Sequence, residues 1–161
     1  MATVLCGALL TACTSEDDPR PAASEPVVSG SNPASTPAVK AAAPPAFCNP
    51  KPIRAGVLEG GSDSGTSVWA LLFRDDGPVR VGEEVKIVVR ITGEGDLRVS
   101  PIKPDGSTAT LDWGPEPHGG STFQRPGQEW GFGVTFNEPG CWTIALSRTE
   151  SGAGYLQIRV A

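Results

Sequence analysis

The sequence has few of the residues on which enzyme and metal chemistry depends. Its single histidine, His118, cannot supply the two histidines of a blue-copper site or the two or three of a catalytic zinc site. None of its four cysteines forms a C-x-x-C pair, which removes the spacing of zinc fingers and thioredoxin-like motifs. Nucleophile-elbow, zincin, P-loop and dinucleotide-binding motifs are also absent. We therefore expect no cofactor, no metal site and no catalytic residue.

The chain also lacks a basic excess and a long apolar run. Its formal net charge is -5, with four acids and two bases in residues 14–46 and fourteen acids and eleven bases in residues 47–161. Phosphate neutralisation needs an excess of Lys and Arg, so we expect no nucleic-acid partner. No run reaches the roughly eighteen apolar residues of a membrane-spanning helix. Abundant glycine (20) and proline (16) favour an all-β protein rich in loops.

The amino end combines a short apolar run, Val4–Leu10, with the tetrapeptide Leu10-Thr11-Ala12-Cys13. The tetrapeptide resembles a bacterial lipobox, at which a peptidase cuts before a cysteine whose sulfur carries a diacylglyceryl group. The resemblance implies that residues 1–12 are a signal peptide and that Cys13 is the lipidated residue, acylated with palmitate-like chains. Signal peptides begin with a basic segment, which Met1–Leu10 lacks, so we expect this one to be truncated or weak.

Lipidation at Cys13 predicts where the protein resides. Two or more acyl chains hold a protein stably at a membrane, so we expect it on the extracytoplasmic face of the cell membrane. Cys6 leaves with the signal peptide, and Cys48 and Cys141 remain in an oxidising compartment. Such a compartment favours a disulfide between these two residues.

Residues 13–46 read as a linker that begins at the lipidated cysteine. From Thr14 onward they are Pro, Ala, Ser and Thr with almost no large apolar side chains. Because such a segment cannot bury enough surface to offset its ordering entropy, the composition predicts a disordered tether. Its prolines favour extended conformations with a reach on the order of 100 Å at most.

Residues 47–161 carry the signals of one β domain. Apolar and polar residues alternate in short segments bounded by turn residues, which is the pattern of half-buried strands. These segments are 67–73, 85–92, 96–102, 107–113, 133–136, 140–148 and 155–160. The alternation places Trp69 and Trp142 on inward faces. Seven or eight short strands predict an antiparallel β-sandwich, for which an immunoglobulin-like arrangement is the commonest.

A resemblance supports this fold. Asn137-Glu138-Pro139-Gly140-Cys141-Trp142-Thr143-Ile144, followed by a last strand ending at Val160, resembles the closing hairpin of immunoglobulin-like domains in bacterial secreted proteins. With the anchor and tether, the whole chain is similar to uncharacterised lipoproteins of high-GC Gram-positive bacteria that carry one such domain. The resemblance implies a fold and no particular activity.

The segment Gly114–Gly131 is the candidate binding site. It is predicted to be a long connection without strands, and such connections are often functional. It concentrates aromatic rings, an arginine and carboxylates, which are typical of binding hot spots. The candidate residues are Trp113, Glu116, His118, Phe123, Arg125, Glu129 and Trp130. The alternative is that Trp113, Phe123 and Trp130 pack beneath the segment while Arg125 pairs with Glu129 or Glu116.

These features predict a non-enzymatic binding or adaptor module at the cell envelope. We expect a monomer, held to the membrane by its lipid, whose partner is an envelope protein or a glycan. One alternative is a carbohydrate-active hydrolase in which Glu116 and Glu129 act as acid and base. Another is a structural spacer domain, which predicts a well-packed segment and no pocket.

Overall fold

In a computed structural model of the chain, the described residues are 47–161, apart from 55, 63, 64, 76 and the side chains of 53 and 54. The predicted signal peptide, lipidated Cys13 and tether lie outside these residues. Within the described part, no helix is long and apolar enough to span a membrane.

The described residues form an all-β domain. Its nine strands are β1 (Lys51–Arg54), β2 (Val57–Glu59), β3 (Val68–Phe73), β4 (Glu84–Ile91), β5 (Leu97–Ile102), β6 (Trp113–His118), β7 (Gln128–Thr135), β8 (Gly140–Arg148) and β9 (Ala153–Val160). The bounds of β4, β5 and β8 agree with the predicted segments to within one residue.

Two antiparallel sheets make a sandwich. One has six strands in the order β1-β2-β3-β4-β7-β6, and the other has three in the order β5-β8-β9. The order β3-β4-β7-β6 is that of strands A, B, E and D of an immunoglobulin constant-type domain, and β5-β8-β9 is that of C, F and G. The predicted sandwich is therefore confirmed. The β1–β2 hairpin, added beside β3, raises the strand number to nine.

The core lies between the two sheets. Alternate residues of β4, including Ile87 and Ile91, point inward and are fully buried, as the pattern predicts. Phe136 meets Trp142 edge to face at 5.1 Å between ring centroids, which confirms the inward position of Trp142. Burying each such large side chain stabilises the fold by about 1.5–3 kcal/mol.

The prediction of which side of β3 faces the core is wrong. Val68, Ala70 and Leu72 point into the core, whereas Trp69 lies half-buried on the outer face of the six-stranded sheet. The sequence VWALLF is apolar at every position, so alternation alone cannot select the inward face. Part of the outer face is covered by another segment of the chain, which gives its apolar residues a partner.

The predicted strand 107–113 does not form. Within it, the only pairing outside β6 is an isolated bridge between Ile102 and Thr108. Trp113 instead begins β6, so the segment expected to be a long loop contains a strand, and the connection shortens to residues 119–127. Pro115 and Pro117 argue against a central strand, but β6 lies at an edge, where proline is tolerated.

The predicted disulfide is confirmed. Cys48 and Cys141 are joined with 5.5 Å between their Cα atoms. The bond does not join the two strands that an immunoglobulin disulfide joins, since Cys48 precedes β1 and only Cys141 lies in a sheet strand. It fixes the start of the domain to the start of β8.

The two ends of the sandwich differ in what they carry. We name one end the Cys48 end: β3 and β9 end there, β8 begins there, and the disulfide lies there. At the opposite end, the loop end, β4 and β8 finish and β7 begins. The length of β8, Gly140–Arg148, separates the ends by about 26 Å at roughly 3.3 Å per residue.

Candidate functional site

An open cleft of about 690 Å³, with several charged side chains and glycines in its lining, lies at the loop end. One wall comes from the end of β6, the connection 119–127 and the start of β7, and the other comes from the turn Gly93–Asp96. Its polar lining includes Arg90, Glu94, His118, Gln128, Glu129 and Arg148. Most of the first wall is the segment that the sequence singled out.

Glu129 organises the polar wall of this cleft. Its side chain is almost fully buried, and Oε1 lies 2.5 Å from His118 Nδ1. Ser121 Oγ donates to Oε2 at 2.5 Å, and Arg90 Nη1 donates to the same oxygen at 3.2 Å. Burial raises the pKa of Glu129, but the hydrogen bonds from Ser121 and His118 and the charges of His118 and Arg90 outweigh it, so the pKa is lowered.

Arg90 fixes the connection 119–127 to the outer face of the six-stranded sheet. Besides Glu129, its guanidinium donates to the carbonyl oxygens of Phe123 (3.2 Å) and Gly127 (2.6 Å). Gly127 has a positive φ of 94°, and a Cβ there would stand 2.2 Å from the backbone of Ile91. Only glycine therefore allows the chain to enter β7 at this place.

The same connection forms a small second core. Phe123 is buried against Val57 and Val88, with Trp69 and Leu71 beside them. The Arg125 guanidinium lies 4.5 Å from the centroid of the Trp69 ring, a cation–π arrangement. The connection is therefore packed in one conformation over the outer face, which explains why Trp69 is not in the main core.

Trp113 and Glu116 lie farther along β6, toward the Cys48 end. Trp113 covers Gly133 on the outer face and donates from Nε1 to Glu84 Oε1 at 3.2 Å. A Cβ at Gly133 would stand 2.1 Å from Trp113 Nε1, so glycine is needed for this packing. Glu116 is exposed and pairs in register with Gly131.

The structure thus divides the predicted binding residues. His118, Glu129 and Trp130 line the loop-end cleft, whereas the other four lie on the outer face or along β6. Trp130 belongs to the main core, and with Phe123 and Glu129 it has little surface for direct contact. The alternative prediction, in which aromatic residues pack beneath the segment, is confirmed for Phe123. Its prediction that Arg125 pairs with Glu129 or Glu116 is wrong, because Arg125 stacks on Trp69 and Arg90 pairs with Glu129.

Sequence reasoning missed two arginines of the cleft. Arg148 is only 2 % exposed and donates to the carbonyl oxygens of Gly95 and Ile91 and to Gln128 Oε1. Burial lowers its pKa, against the opposing charges of nearby acids. Arg90 occupies a polar position of an alternating strand, where the pattern predicts contact with solvent. Arg90 is partly buried because the connection 119–127 folds over it, and the alternation of apolar and polar residues within β4 gives no information about that contact.

The arrangement is suited to hydrogen bonding with a ligand. Two buried donors, Arg90 Nε and Trp130 Nε1, have no acceptor within the described residues. His118 has a side chain that is 46 % exposed, and its Nδ1 is engaged by Glu129. Both of these donors are buried, so the polar group of this wall that a ligand can reach is the half-exposed His118 imidazole.

The same contacts bear on catalysis and on metal binding. Ser121 donates to Glu129 rather than to His118, so the three residues do not form a serine–histidine relay. The lowered pKa of Glu129 keeps its carboxylate ionised at neutral pH, which suits an ion pair better than a general acid. Among the described residues, no group of three or more His, Cys, Asp or Glu is placed to hold a metal ion.

The chain matches no protein-family model, no curated protein and no solved structure. Its immunoglobulin-like strand order describes the fold and says nothing about activity, because that architecture carries many unrelated functions. The basis for a functional proposal is therefore the chemistry of its own residues.

Proposed function

We propose that the chain is a lipid-anchored, extracytoplasmic binding module that recognises an envelope protein or a glycan with its loop-end cleft. The observation that carries the proposal is the composition of this cleft, one wall of which is a glycine-rich segment bearing His118 and fixed by Glu129 and Arg90. In this proposal it acts without catalysis, as a monomer on the outer side of the cell membrane, like the lipoproteins of high-GC Gram-positive bacteria that it resembles.

The position of the cleft supports this function. The described domain starts at Phe47, and Cys48 is bonded to Cys141, the second residue of β8. The cleft lies at the far end of β8, beside Arg148. The cleft therefore lies at the opposite end of β8 from the residue at which the described domain begins, and a disulfide fits an oxidising compartment.

The rigidity of the cleft wall also supports binding. Arg90 and Glu129 together hold residues 118–127 through hydrogen bonds to side chains and to backbone oxygens. Ordering a loop at an interface costs about 0.5–1.5 kcal/mol per immobilised side chain, so a wall that is already ordered favours affinity. Exposed glycines at 119 and 120 leave room for a ligand backbone or a sugar ring to approach.

A binding experiment with matched variants tests the proposal. The full chain is immobilised and incubated with a cell-envelope fraction, and retained proteins and glycans are identified. His118→Ala should lose a specific partner, while Arg98→Ala, on an exposed position of β5, should retain it. The melting temperature of both variants is measured as well, because the His118 variant also removes a contact of the buried Glu129. Retention of the same partner by the His118 variant contradicts the proposal. Trp130 cannot serve in this test because it belongs to the core.

The anchor is tested separately. Cells grown with an alkyne-labelled palmitate analogue should label the wild-type chain, and Cys13→Ser should abolish the label and move the protein into the soluble fraction. Label that persists in the variant contradicts lipidation at Cys13.

A structural spacer domain is the second candidate function. The observation that favours it is the packing of Phe123 and Arg125, which shows the connection 119–127 to be a well-ordered cover of the sheet. A spacer predicts that envelope fractions yield no partner dependent on His118.

A further inference from the structure

A second, apolar cleft of about 500 Å³ lies at the Cys48 end. Leu58 of β2 and Leu72 of β3 line one side, and Ile158 of β9 lines the other. Leu72 and Ile158 also belong to the main core, so the cleft is continuous with the apolar interior. Its volume falls within the range of about 300–1,000 Å³ that is typical of small-molecule sites.

The cleft exists because the edges of the two sheets do not pair along their length. An isolated bridge joins Gly61 to Tyr155, and another joins Val79 to Val160. Between these two points no strand pairing joins β2 or β3 to β9, and the gap is lined by the buried Leu72 and Ile158 and by the partly buried Leu58. Apolar surface left open in this way is stabilised by an apolar occupant.

The segment that follows Cys48 forms another wall of the cleft. Pro50 and Pro52 line the cleft just after the disulfide at Cys48. The backbone N–H of Asn49 donates to Gln157 Oε1 at 2.9 Å, and Gln157 Nε2 donates back to the carbonyl of Phe47 at 3.2 Å. The wall is therefore held in place before any ligand arrives.

A charged group stands inside this apolar surface. The Arg74 side chain is only 13 % exposed and lines the cleft. Its Nε lies 3.5 Å from Glu83 Oε1 but makes no hydrogen bond within the described residues. Arg159 also lines the cleft, as does the exposed Asp75. An anionic ligand group would supply the acceptor that Arg74 Nε lacks.

The Cys48 end also carries exposed apolar side chains. Among the described residues, the exposed large hydrophobic side chains are Phe47 (69 %), Phe73 (52 %) and Val81 (47 %). Phe47 adjoins Cys48, Phe73 ends β3, and Val81 lies in the turn before β4, so all three belong to the Cys48 end. This is also the end at which residues 1–46 join the domain.

We propose that this cleft binds the hydrocarbon chain of an anionic amphiphile, with the acidic head at Arg74. The apolar walls match the chain, and Arg74 Nε, which has no hydrogen-bond acceptor among the described residues, matches the head. This site is separate from the loop-end cleft and requires neither the proposed partner nor the anchor. It adds a ligand-binding activity to the proposed recognition function.

Titration with matched ligands tests the proposal. Full-length Cys13→Ser protein, with its disulfide intact, is titrated calorimetrically with laurate and with dodecanol below their aggregation limits. The proposal expects one laurate per chain. Arg74→Gln should weaken laurate binding about tenfold or more, the usual effect of losing a charge-assisted hydrogen bond, and should leave dodecanol binding unchanged. Equal weakening of both ligands overturns the assignment of the head to Arg74.

A filling variant tests the cleft itself. Leu58→Trp places a large ring in the cleft and should abolish laurate binding, whereas Leu111→Trp enlarges a half-buried side chain that does not line it and should leave binding intact. Laurate binding that survives in the Leu58 variant, or that is absent from the parent protein, overturns the proposal. A His118→Ala chain should bind laurate normally, which keeps this result independent of the loop-end cleft.

Vesicles identify the source of the hydrocarbon chain. Vesicles of anionic phospholipid that bind the parent and not the Leu58 variant assign the site to a membrane lipid. Laurate binding without vesicle binding assigns it to a free amphiphile. Vesicle binding that is equal in the two proteins, with no laurate binding, overturns the proposal.

Discussion

The two ends of one sandwich offer opposite chemistry. The loop end is built by turns and by the connection 119–127, and its cleft is lined by charged groups that hydrogen bond to one another. The Cys48 end is built by strands that do not pair along their length, and its cleft is lined mainly by apolar side chains, with Arg74, Asp75 and Arg159 among them. The difference shows two ways in which a small domain can form a cleft. A loop that folds over a sheet brings charged side chains together, and a sheet edge that stays unpaired leaves a gap lined by apolar side chains.

The largest expected effect comes from removing the disulfide. Cys48 and Cys141 are 93 positions apart, and closing a loop of that size contributes about 4–5 kcal/mol on the chain-entropy account. Cys48→Ser with Cys141→Ser should therefore lower the free energy of unfolding by several kcal/mol, measured by denaturant titration.

The same double variant sharpens the comparison between the ends. Hydrogen exchange should accelerate first in residues 47–52, while the backbone around Glu129 keeps its protection. Equal acceleration at both ends would contradict the assignment of the disulfide to the apolar cleft wall.

The next effect concerns the polar wall. Glu129→Ala leaves Arg90 without its buried ion-pair partner, and breaking such a pair typically costs about 3–5 kcal/mol. Glu116→Ala is the matched control, because that carboxylate is exposed and makes no ion pair within the described residues. Thermal denaturation should show a clear loss for the first variant and almost none for the second. If the Glu129 and Glu116 variants had similar melting temperatures, the conclusion that Glu129 holds the cleft wall together would be contradicted.

A smaller effect is expected on the outer face beside the cleft. Gly133→Ala forces a methyl group against Trp113, which should cost about 1–3 kcal/mol through overpacking. Gly119→Ala is the control, since a Cβ there meets nothing within 4 Å. Tryptophan fluorescence and melting temperature should change in the Gly133 variant alone. If both properties stayed the same in that variant, the packing of Trp113 on Gly133 would be contradicted.

The smallest expected effect is a dependence on pH. The pKa of Glu129 is lowered in the folded state, so its stabilisation is present above the ordinary glutamate pKa of 4.5 and is lost as pH falls through the folded value. Between pH 6 and 3 the melting temperature of the wild type should therefore fall more steeply than that of Glu129→Gln. Parallel curves would contradict an ionised Glu129.

Much of the fold could be predicted from the sequence because most strands have one apolar face. In β4 and β9 the alternation of large apolar and polar residues indicates the inward side. With Cys6 assigned to the predicted signal peptide and Cys13 to the predicted lipid anchor, Cys48 and Cys141 were the one pairing left. The prediction failed where the pattern is ambiguous or overridden. β3 is apolar on both faces, and β6 forms despite Pro115 and Pro117 because an edge strand tolerates them.

The candidate site was predicted only in outline. The unusual composition of segment 114–131 singled it out, and part of it lines the loop-end cleft, but the contacts of its residues depend on positions distant in sequence. Phe123 is buried because Val57 and Val88 lie beneath it, and Glu129 is ionised because Arg90 reaches it from β4. Neither relation has a local signature.

The most direct test of recognition at the loop end is photo-crosslinking in intact cells. A benzophenone amino acid is placed at Gly119, where a side chain meets open space, and at Arg98 on the exposed face of β5 as the reference. The account predicts a discrete adduct from position 119 and none from position 98. No adduct at position 119, or the same adducts from both positions, would contradict it.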